Sequence, residues 1–531
     1  MSKAIHLDND PHTAKAGRCF NLRALAVLLM QTLFVFSSGS IVGLAQRTRA
    51  TQKPEAWRKH PPKPDPPRAF KLPASRTSRL DNGLSLVLIE DHTSPIVTIL
   101  VAVPTSIGAF SDVADLTRQV ALAEATAQLI TEGAGSQSSE QLAREVETLG
   151  GRLSSSANDD FAEVTVSVVA ENAERMIDLL GDVLIRPTFP DSEVTLYKRN
   201  RIQHLTVQRQ DPAFLVGEQF DRIVFGLHPY GISAPTPAAV DALDRERITN
   251  FYKSSYSPDG AVMIIDGDFE AGRMEKKIGN TLGSWKTPKR STETRSANDF
   301  SKRSVRRVYL IDRPGSEQSD FRIGSLAVKR SHADFFPLLV ANAILGAGTN
   351  SRLFLNIRER EGYAYDVSSS VDALRRAGTF FAGAETRTEV TVAAIKEVLA
   401  EFDRLRTSPV ESSELQSAKN YLNGLFSLVL STQGGVAERI AQTYMLDLGS
   451  DYLESYRSRI EAVSAEQVQA VAKKYIQSDA PVVVVVGDAS KLEAGLKAIG
   501  PVEVLDLEGK PVKHTPGLSK LLVADPSLRF F

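Results

Sequence analysis

The chain of 531 residues is too long for one compact core, so its length favours two or more domains. Hydrophobic residues make up 42% and charged residues 24%, which is the ordinary composition of globular proteins. The formal net charge is −1, so no basic field attracts nucleic acid, and we expect no nucleic-acid partner.

The N-terminal segment predicts export. An apolar run at 24–36 follows Arg18 and Arg23, and small residues come after it, as in a secretory signal peptide. Because no charge interrupts 24–45, a membrane tether through this segment is the alternative. The single cysteine, Cys19, lies before the apolar run, so removal of the segment leaves no thiol for disulfides or zinc. We expect an exported protein that is periplasmic, or membrane-anchored and facing the periplasm.

The rest of the chain is predicted to contain two copies of the same order of strands and helices. The first copy predicts strands at 84–89 and 96–103, a helix at 116–131, a short helix with a capping box at Ser138 and Gln141, a strand at 162–170, helices at about 176–184, 192–210 and 246–252, and a strand at 261–265. The second predicts a strand at 308–311, helices at 335–345, 351–360, 392–405, 413–430 and 466–475, and a strand at 482–486. Gly-Ala-Gly follows a helix in both copies, which indicates an internal repeat.

A polar, charged segment at 286–305 separates the copies and has the composition of a linker. It predicts two α+β domains on a hinge that close around a ligand. The predicted boundaries are a signal peptide or anchor at 1–45, a proline-rich linker at 46–75, the first copy at 76–285, the linker at 286–305, the second copy at 306–495 and a C-terminal tail at 496–531.

Three motifs resemble the insulinase/pitrilysin/mitochondrial-processing-peptidase family. They are Leu-Asp-Asn-Gly-Leu at 80–84, His-Pro-Tyr-Gly at 228–231, and the segment 346–365, which begins Gly-Ala-Gly-Thr-Asn-Ser-Arg-Leu-Phe. The resemblance covers about residues 77–495. It implies two homologous α/β sandwich domains joined by a linker, which form half of a clamshell. We interpret His228 itself as a loop or packing residue.

Active relatives carry H-x-x-E-H on the helix before the first Gly-x-Gly, where two histidines bind zinc and the glutamate activates water. The matching window here has Glu124 and Gln128 at the histidine positions and Ala127 at the glutamate position. The third ligand, a glutamate in the family, falls near Gln203 and His204. The sequence therefore predicts no metal, no cofactor and no catalytic residue in this chain. We interpret Glu124 and Gln128 as solvated residues of a helix face.

The second copy retains a different part of the family pattern. Related enzymes use an arginine and a tyrosine seven residues apart to hold substrate against the zinc, and this pair aligns with Arg358 and Tyr365. Both side chains donate hydrogen bonds to a carbonyl oxygen or a developing oxyanion. Tyr363 is an alternative to Tyr365, because it lies two residues away on the same face of a strand.

The sequence thus leads to the hypothesis of a pseudoenzyme that does not cleave peptides by itself. It would be the non-catalytic, peptide-binding subunit of a heterodimeric zinc metalloendopeptidase, with Arg358 and Tyr365 as substrate-binding residues. The expected partners are a paralogous subunit that carries H-x-x-E-H and its zinc, and unfolded or extended peptides. One alternative is an inactive scaffold or assembly protein of the same fold, and another is a peptidase with a non-standard metal site.

Overall fold

The computed structural model describes residues 73–104, 112–286 and 306–512. The predicted export segment, nearly all of both predicted linkers and residues 513–531 lie outside this part of the chain. Among the described residues, no helix is both long and apolar enough to cross a bilayer.

The first copy forms a mixed sheet and the helices that pack on it. Its strands are β1 (Ser75–Arg79), β2 (Ser85–Glu90), β3 (Ile96–Pro104), β4 (Arg152–Ala157), β5 (Phe161–Val169) and β6 (Val262–Gly267). Its helices are α1 (Val113–Leu129), α2 (Ser139–Thr148), α3 (Ala173–Ile185), α4 (Asp191–Gln208), α5 (Pro212–Phe225), α6 (Pro237–Asp241), α7 (Arg245–Ser255) and α8 (Ala271–Leu282). The predicted capping box of α2 is confirmed, because Ser138 and Gln141 bond to each other's backbone N–H groups.

The second copy repeats this order of elements. Its strands are β7 (Arg307–Asp312), β8 (Gln318–Ala327), β9 (Ala364–Ala373), β10 (Gly378–Arg387), β11 (Val482–Gly487) and β12 (Val502–Leu505). Its helices are α9 (Phe335–Gly346), α10 (Thr391–Thr407), α11 (Ser412–Val429), α12 (Gln433–Met445), α13 (Tyr452–Glu461), α14 (Ala465–Tyr475) and α15 (Ala489–Leu496), with a π-helical turn at Phe354–Arg360.

The two sheets have the same topology except at one edge. Their strand orders are β1-β2-β6-β3-β5-β4 and β12-β7-β11-β8-β10-β9. The pairs β2–β6 and β7–β11 are parallel, and the strands beyond them toward β4 and β9 pair antiparallel. The position filled by antiparallel β1 in the first sheet is filled in the second by β12, parallel to β7. The segment from residue 496, predicted as a C-terminal tail, therefore contains strand β12, which pairs with β7 in this sheet.

Strands β6 and β11 are buried along their whole length, so each sheet is covered on both faces. One face of each sheet packs on helices of its own copy. The opposite face of the second sheet is covered by α5, a helix of the first copy. The opposite face of the first sheet is covered by α12, a helix of the second copy. We name α5 and α12 the crossing helices.

The two predicted domains are confirmed, but the crossing helices pack each domain on the other, so they form one compact unit rather than a pair on a flexible hinge. Leu215, Val216 and Phe220 of α5 are buried against β7 and β11. Burial of three such side chains stabilises this contact by on the order of 5–9 kcal/mol as an upper estimate. At the other crossing, Thr98 of β3 donates a 3.0 Å hydrogen bond to Gln433 at the start of α12.

Candidate functional site

The position that the family resemblance assigns to a metal involves helices α1 and α4. Glu124 and Gln128 lie on α1, and His204 lies on α4. Arg201 of α4 reaches Glu124, with Nε 2.6 Å from Oε1 and Nη2 3.0 Å from Oε2. The carboxylate that stands at the first histidine position is therefore held at two points by a guanidinium group.

Two further side chains of α4 complete what we name the Arg201 cluster (Glu124, Tyr197, Arg201 and His204). The Tyr197 hydroxyl donates to Oε1 of Glu124 at 3.2 Å, and burial raises the pKa of Tyr197, as does the Glu124 charge. Nη1 of Arg201 lies 2.8 Å from Nδ1 of His204. Because a guanidinium group only donates, Nδ1 of His204 is the acceptor in this contact.

The residues at this position do not fit a zinc ion. The carboxylate of Glu124 and one ring nitrogen of His204 are already bound to Arg201. Ala127 is buried and has no group that could activate water. In the described part of the chain, no three His, Cys, Asp or Glu side chains are grouped so that they could hold a metal.

The interpretation of Glu124 as a solvated helix-face residue is wrong. Its side chain is 21% exposed, and that of Arg201 is 14% exposed, because each covers the other between the two helices. Gln128 is exposed, as predicted, and lines a neighbouring cavity of about 490 Å³. Sequence reasoning missed Arg201 and Tyr197, although positions 197, 201 and 204 have the spacing of one helix face.

The structure brings the two candidate substrate-binding residues together. Arg358 lies on the π-helical turn, and Tyr365 lies on β9, the edge strand of the second sheet. The guanidinium carbon of Arg358 is 4.7 Å from the ring centroid of Tyr365 and 4.7 Å from that of Phe354. These distances are those of cation–π contacts, so two aromatic rings fix the direction of the guanidinium group.

A tight connection places the Arg358–Tyr365 pair. Gly362 has φ +63°, a conformation that favours glycine, and it ends the π-helical turn. The next N–H, that of Tyr363, donates to the carbonyl of Ile357 at 2.9 Å, and β9 starts directly afterwards. The Tyr363 side chain packs partly against the hydrophobic core, whereas Tyr365 is 84% exposed. Tyr365 is therefore the more exposed of the two candidate tyrosines.

A cavity of about 620 Å³ adjoins this pair, on the face of the second sheet next to α5. Tyr363 and Tyr365 form part of its wall, together with Asp320 and Arg322 of β8. Arg322 stacks on Phe381, with 3.9 Å from its guanidinium carbon to the ring centroid. Burial, followed by nearby carboxylates, raises the pKa of Asp320 to about 7. The cavity thus offers aromatic surface and both signs of charge beside an edge strand.

The His-Pro-Tyr-Gly motif lies at the junction of the two copies. His228 is 3% exposed, and its Nδ1 accepts the N–H of Tyr230 at 3.2 Å. The hydroxyl of Tyr230 donates to buried Asp160, whose other oxygen accepts the N–H of Arg375 at 2.9 Å. Burial lowers the pKa of His228 to about 4, so this ring is neutral near pH 7. The interpretation of His228 as a packing residue is confirmed.

Comparison with known family models shows which protein family this chain belongs to. The model described as "Insulinase (Peptidase family M16)" matches residues 86–237, and that described as "Peptidase M16 inactive domain" matches residues 242–422. This chain belongs to peptidase family M16. The family resemblance seen in the sequence motifs is confirmed, and the match to the inactive-domain model supports an inactive M16-like subunit.

Relatives of this M16 chain are named as uncharacterized zinc proteases. It is 24% identical to an uncharacterized zinc protease of Streptomyces coelicolor over 349 residues, which are 65% of this chain and 76% of that protein. It is 22% identical over 351 residues to the uncharacterized zinc protease YmxG of Bacillus subtilis, covering 65% of this chain and 83% of YmxG.

Solved structures confirm the fold expected from the sequence. A peptidase M16 inactive domain from Pseudomonas fluorescens superposes with a TM-score of 0.70 at 20% identity, over 78% of this chain and 98% of that one. A protease from Helicobacter pylori gives a TM-score of 0.72 at 17% identity, over 78% of this chain and 100% of that one. The two mixed sheets with their helices are thus the insulinase-like pair of α/β domains.

Proposed function

We propose that this M16 chain is the non-catalytic, peptide-binding subunit of a heterodimeric zinc peptidase. A paralogue with H-x-x-E-H supplies the zinc and the general base, and this chain donates Arg358 and Tyr365 to the partner's active site. The observation that carries the proposal is the pairing of an 84% exposed tyrosine with an arginine whose guanidinium group stacks on its ring. An exposed aromatic ring held in this way has no evident role in the stability of the fold.

The chemistry of the pair suits substrate binding. A phenol and a guanidinium group both donate hydrogen bonds to a peptide carbonyl, and both stabilise the oxyanion that forms when water attacks it. Stacking on Tyr365 and Phe354 reduces the side-chain entropy that Arg358 loses when substrate binds. In a clamshell of two such chains, the pair would face the zinc helix of the partner.

The surroundings of the pair suit an extended peptide. Strand β9 lies at the edge of its sheet, so its outer backbone groups are available to pair with an added strand. The adjoining cavity of about 620 Å³ is large enough to receive side chains of such a peptide. Unfolded or extended peptides are therefore the proposed ligands.

The test is reconstitution with the H-x-x-E-H-bearing paralogue. We expect the mixture to cleave a fluorogenic peptide faster than the paralogue alone, and Arg358→Ala or Tyr365→Phe in this chain to lower that rate by about 10- to 1,000-fold. Arg360→Ala is the matched control, because Arg360 lies on the same turn and is 55% exposed beside Glu361. A mixture no faster than the paralogue alone would contradict the proposal. Acceleration that survives both substitutions would instead favour a scaffold role.

Export is part of the proposal. The apolar run at 24–36 would direct the chain out of the cytoplasm, and the paralogue would meet it in the periplasm. N-terminal sequencing of the mature protein from a periplasmic fraction tests this. A start after the small residues near position 45 is expected, whereas an intact Met1 in the membrane fraction would indicate an anchor instead.

A further inference from the structure

We infer that the guanidinium group of Arg201 occupies the position of the family's zinc ion and takes over its structural role. Arg201 contacts Glu124 on α1, which stands at a ligand position of the family pattern, and His204 on α4, near which the third ligand falls. A cation bound to both is a link between the two helices, as a metal ion would be. This inference does not depend on whether a partner subunit exists.

The charges of the cluster support a built-in cation. Glu124 contributes one negative charge and Arg201 one positive charge, and their side chains are 21% and 14% exposed. Tyr197 donates a hydrogen bond to the same carboxylate at 3.2 Å, beside the hydrogen bond from Nη2 of Arg201 at 3.0 Å. Removal of one partner of such a partly buried pair strongly destabilises the fold, because the other charge is left without compensation.

The position of Arg201 also implies that restoring H-x-x-E-H at positions 124–128 would not by itself restore zinc binding. A divalent ion placed among the side chains at positions 124, 128 and 204 would lie beside the guanidinium group. The positive charge of the guanidinium group repels a divalent cation at such a short distance and so weakens its binding. In this chain, Arg201 therefore stands where it opposes a metal ion and holds the residues that replace the family's ligands.

The first experiment measures zinc directly. The triple variant Glu124→His, Ala127→Glu, Gln128→His is prepared in the full chain, with Arg201 retained or changed to Ala, and zinc affinity is measured by competition with a chromophoric chelator. We expect zinc to bind on the order of 100-fold more tightly in the variant without Arg201, with His204 as the third ligand. Arg186→Ala in the triple variant is the control, because Arg186 pairs with Asp182 on the exposed surface of α3. Equal zinc affinity with and without Arg201 would overturn the inference.

The second experiment remains informative if the triple variant does not fold. Arg201→Ala, Glu124→Ala and the double variant are compared by thermal unfolding, with and without a chelator. Each single variant is expected to unfold at a lower temperature, and the double variant at a temperature no lower than the worse single variant. The unsubstituted chain should be insensitive to the chelator. Additive effects of the two substitutions, or a chelator effect on the unsubstituted chain, would show that Arg201 does not replace the metal.

Discussion

The crossing helix α5 provides a sharp test of how the two copies are held together. Phe220 is completely buried, and its ring centroid lies 5.8 Å from that of Phe381 on the sheet of the other copy. The guanidinium carbon of Arg322 lies 5.6 Å from the same ring of Phe220. Phe220→Ala therefore removes a buried ring from the contact between the copies.

The size of the effect follows from the burial. Truncation of a fully buried phenylalanine costs about 3–5 kcal/mol, and loss of the partly desolvated cation–π contact adds about 0.5–1 kcal/mol. We expect a decrease of about 4 kcal/mol in the free energy of unfolding, together with loss of coupling between the copies. Phe402→Ala is the matched control, because Phe402 is equally buried but packs on Phe380 within the second copy.

Urea unfolding followed by far-UV circular dichroism and by tryptophan fluorescence measures both quantities. Trp285, buried in the first copy, is the tryptophan within the described residues. In the unsubstituted chain both signals should change in one transition, and in Phe220→Ala they should separate. In Phe402→Ala the second copy should be destabilised by a similar amount. A change below about 1 kcal/mol in Phe220→Ala, with the two signals still coincident, would refute the proposal that α5 couples the copies.

Four further predictions concern single residues. A methyl group at Gly346 would lie 2.5 Å from the backbone nitrogen of Ser369 on β9, so Gly346→Ala should lower the free energy of unfolding by about 1–3 kcal/mol, measured in urea. Tyr365→Ala should change that energy by less than about 0.5 kcal/mol, because the side chain is 84% exposed; a larger loss would indicate a structural role. Ser138→Ala removes the capping box of α2 and should cost about 1 kcal/mol in the same assay. Burial raises the pKa of Asp320 from 3.8 to about 7. Between these two values the folded chain holds a proton that the unfolded chain releases. The stability that this proton contributes is therefore fully present below about pH 4 and is lost as the pH rises through about 7. Asp320→Asn should therefore stabilise the chain at about pH 8 and have little effect at about pH 4, and equal effects at both values would contradict this.

Local sequence patterns were sufficient for many of the elements. The spacing of Ser138 and Gln141 predicted the start of α2, because a capping box satisfies backbone donors within four residues. Continuous apolar runs predicted strands β6 and β11, which are fully buried. The repeated order of elements and three motifs were enough to indicate the family, which the comparisons confirmed.

The crossing helices were not predicted, for a physical reason. The apolar residues of α5, such as Leu215 and Phe220, are buried by a sheet that begins at Arg307, far along the chain. A short stretch of sequence does not indicate which distant surface will cover the apolar face of a helix. The prediction of a hinge failed for the same reason, because the two copies are held together by contacts distant in sequence.

The candidate sites also combine features that the sequence predicts with features that only the structure shows. The sequence by itself shows that H-x-x-E-H is missing, and its resemblance to the family predicts Arg358 and Tyr365 as substrate-binding residues. Only the tertiary structure decided that Arg201 meets Glu124, 77 residues away, and that the Tyr365 ring lies under the guanidinium group of Arg358. Absence of a motif can be read from residue identity. Pairing of charges and rings depends on how helices and strands pack, and that packing is set by the whole core.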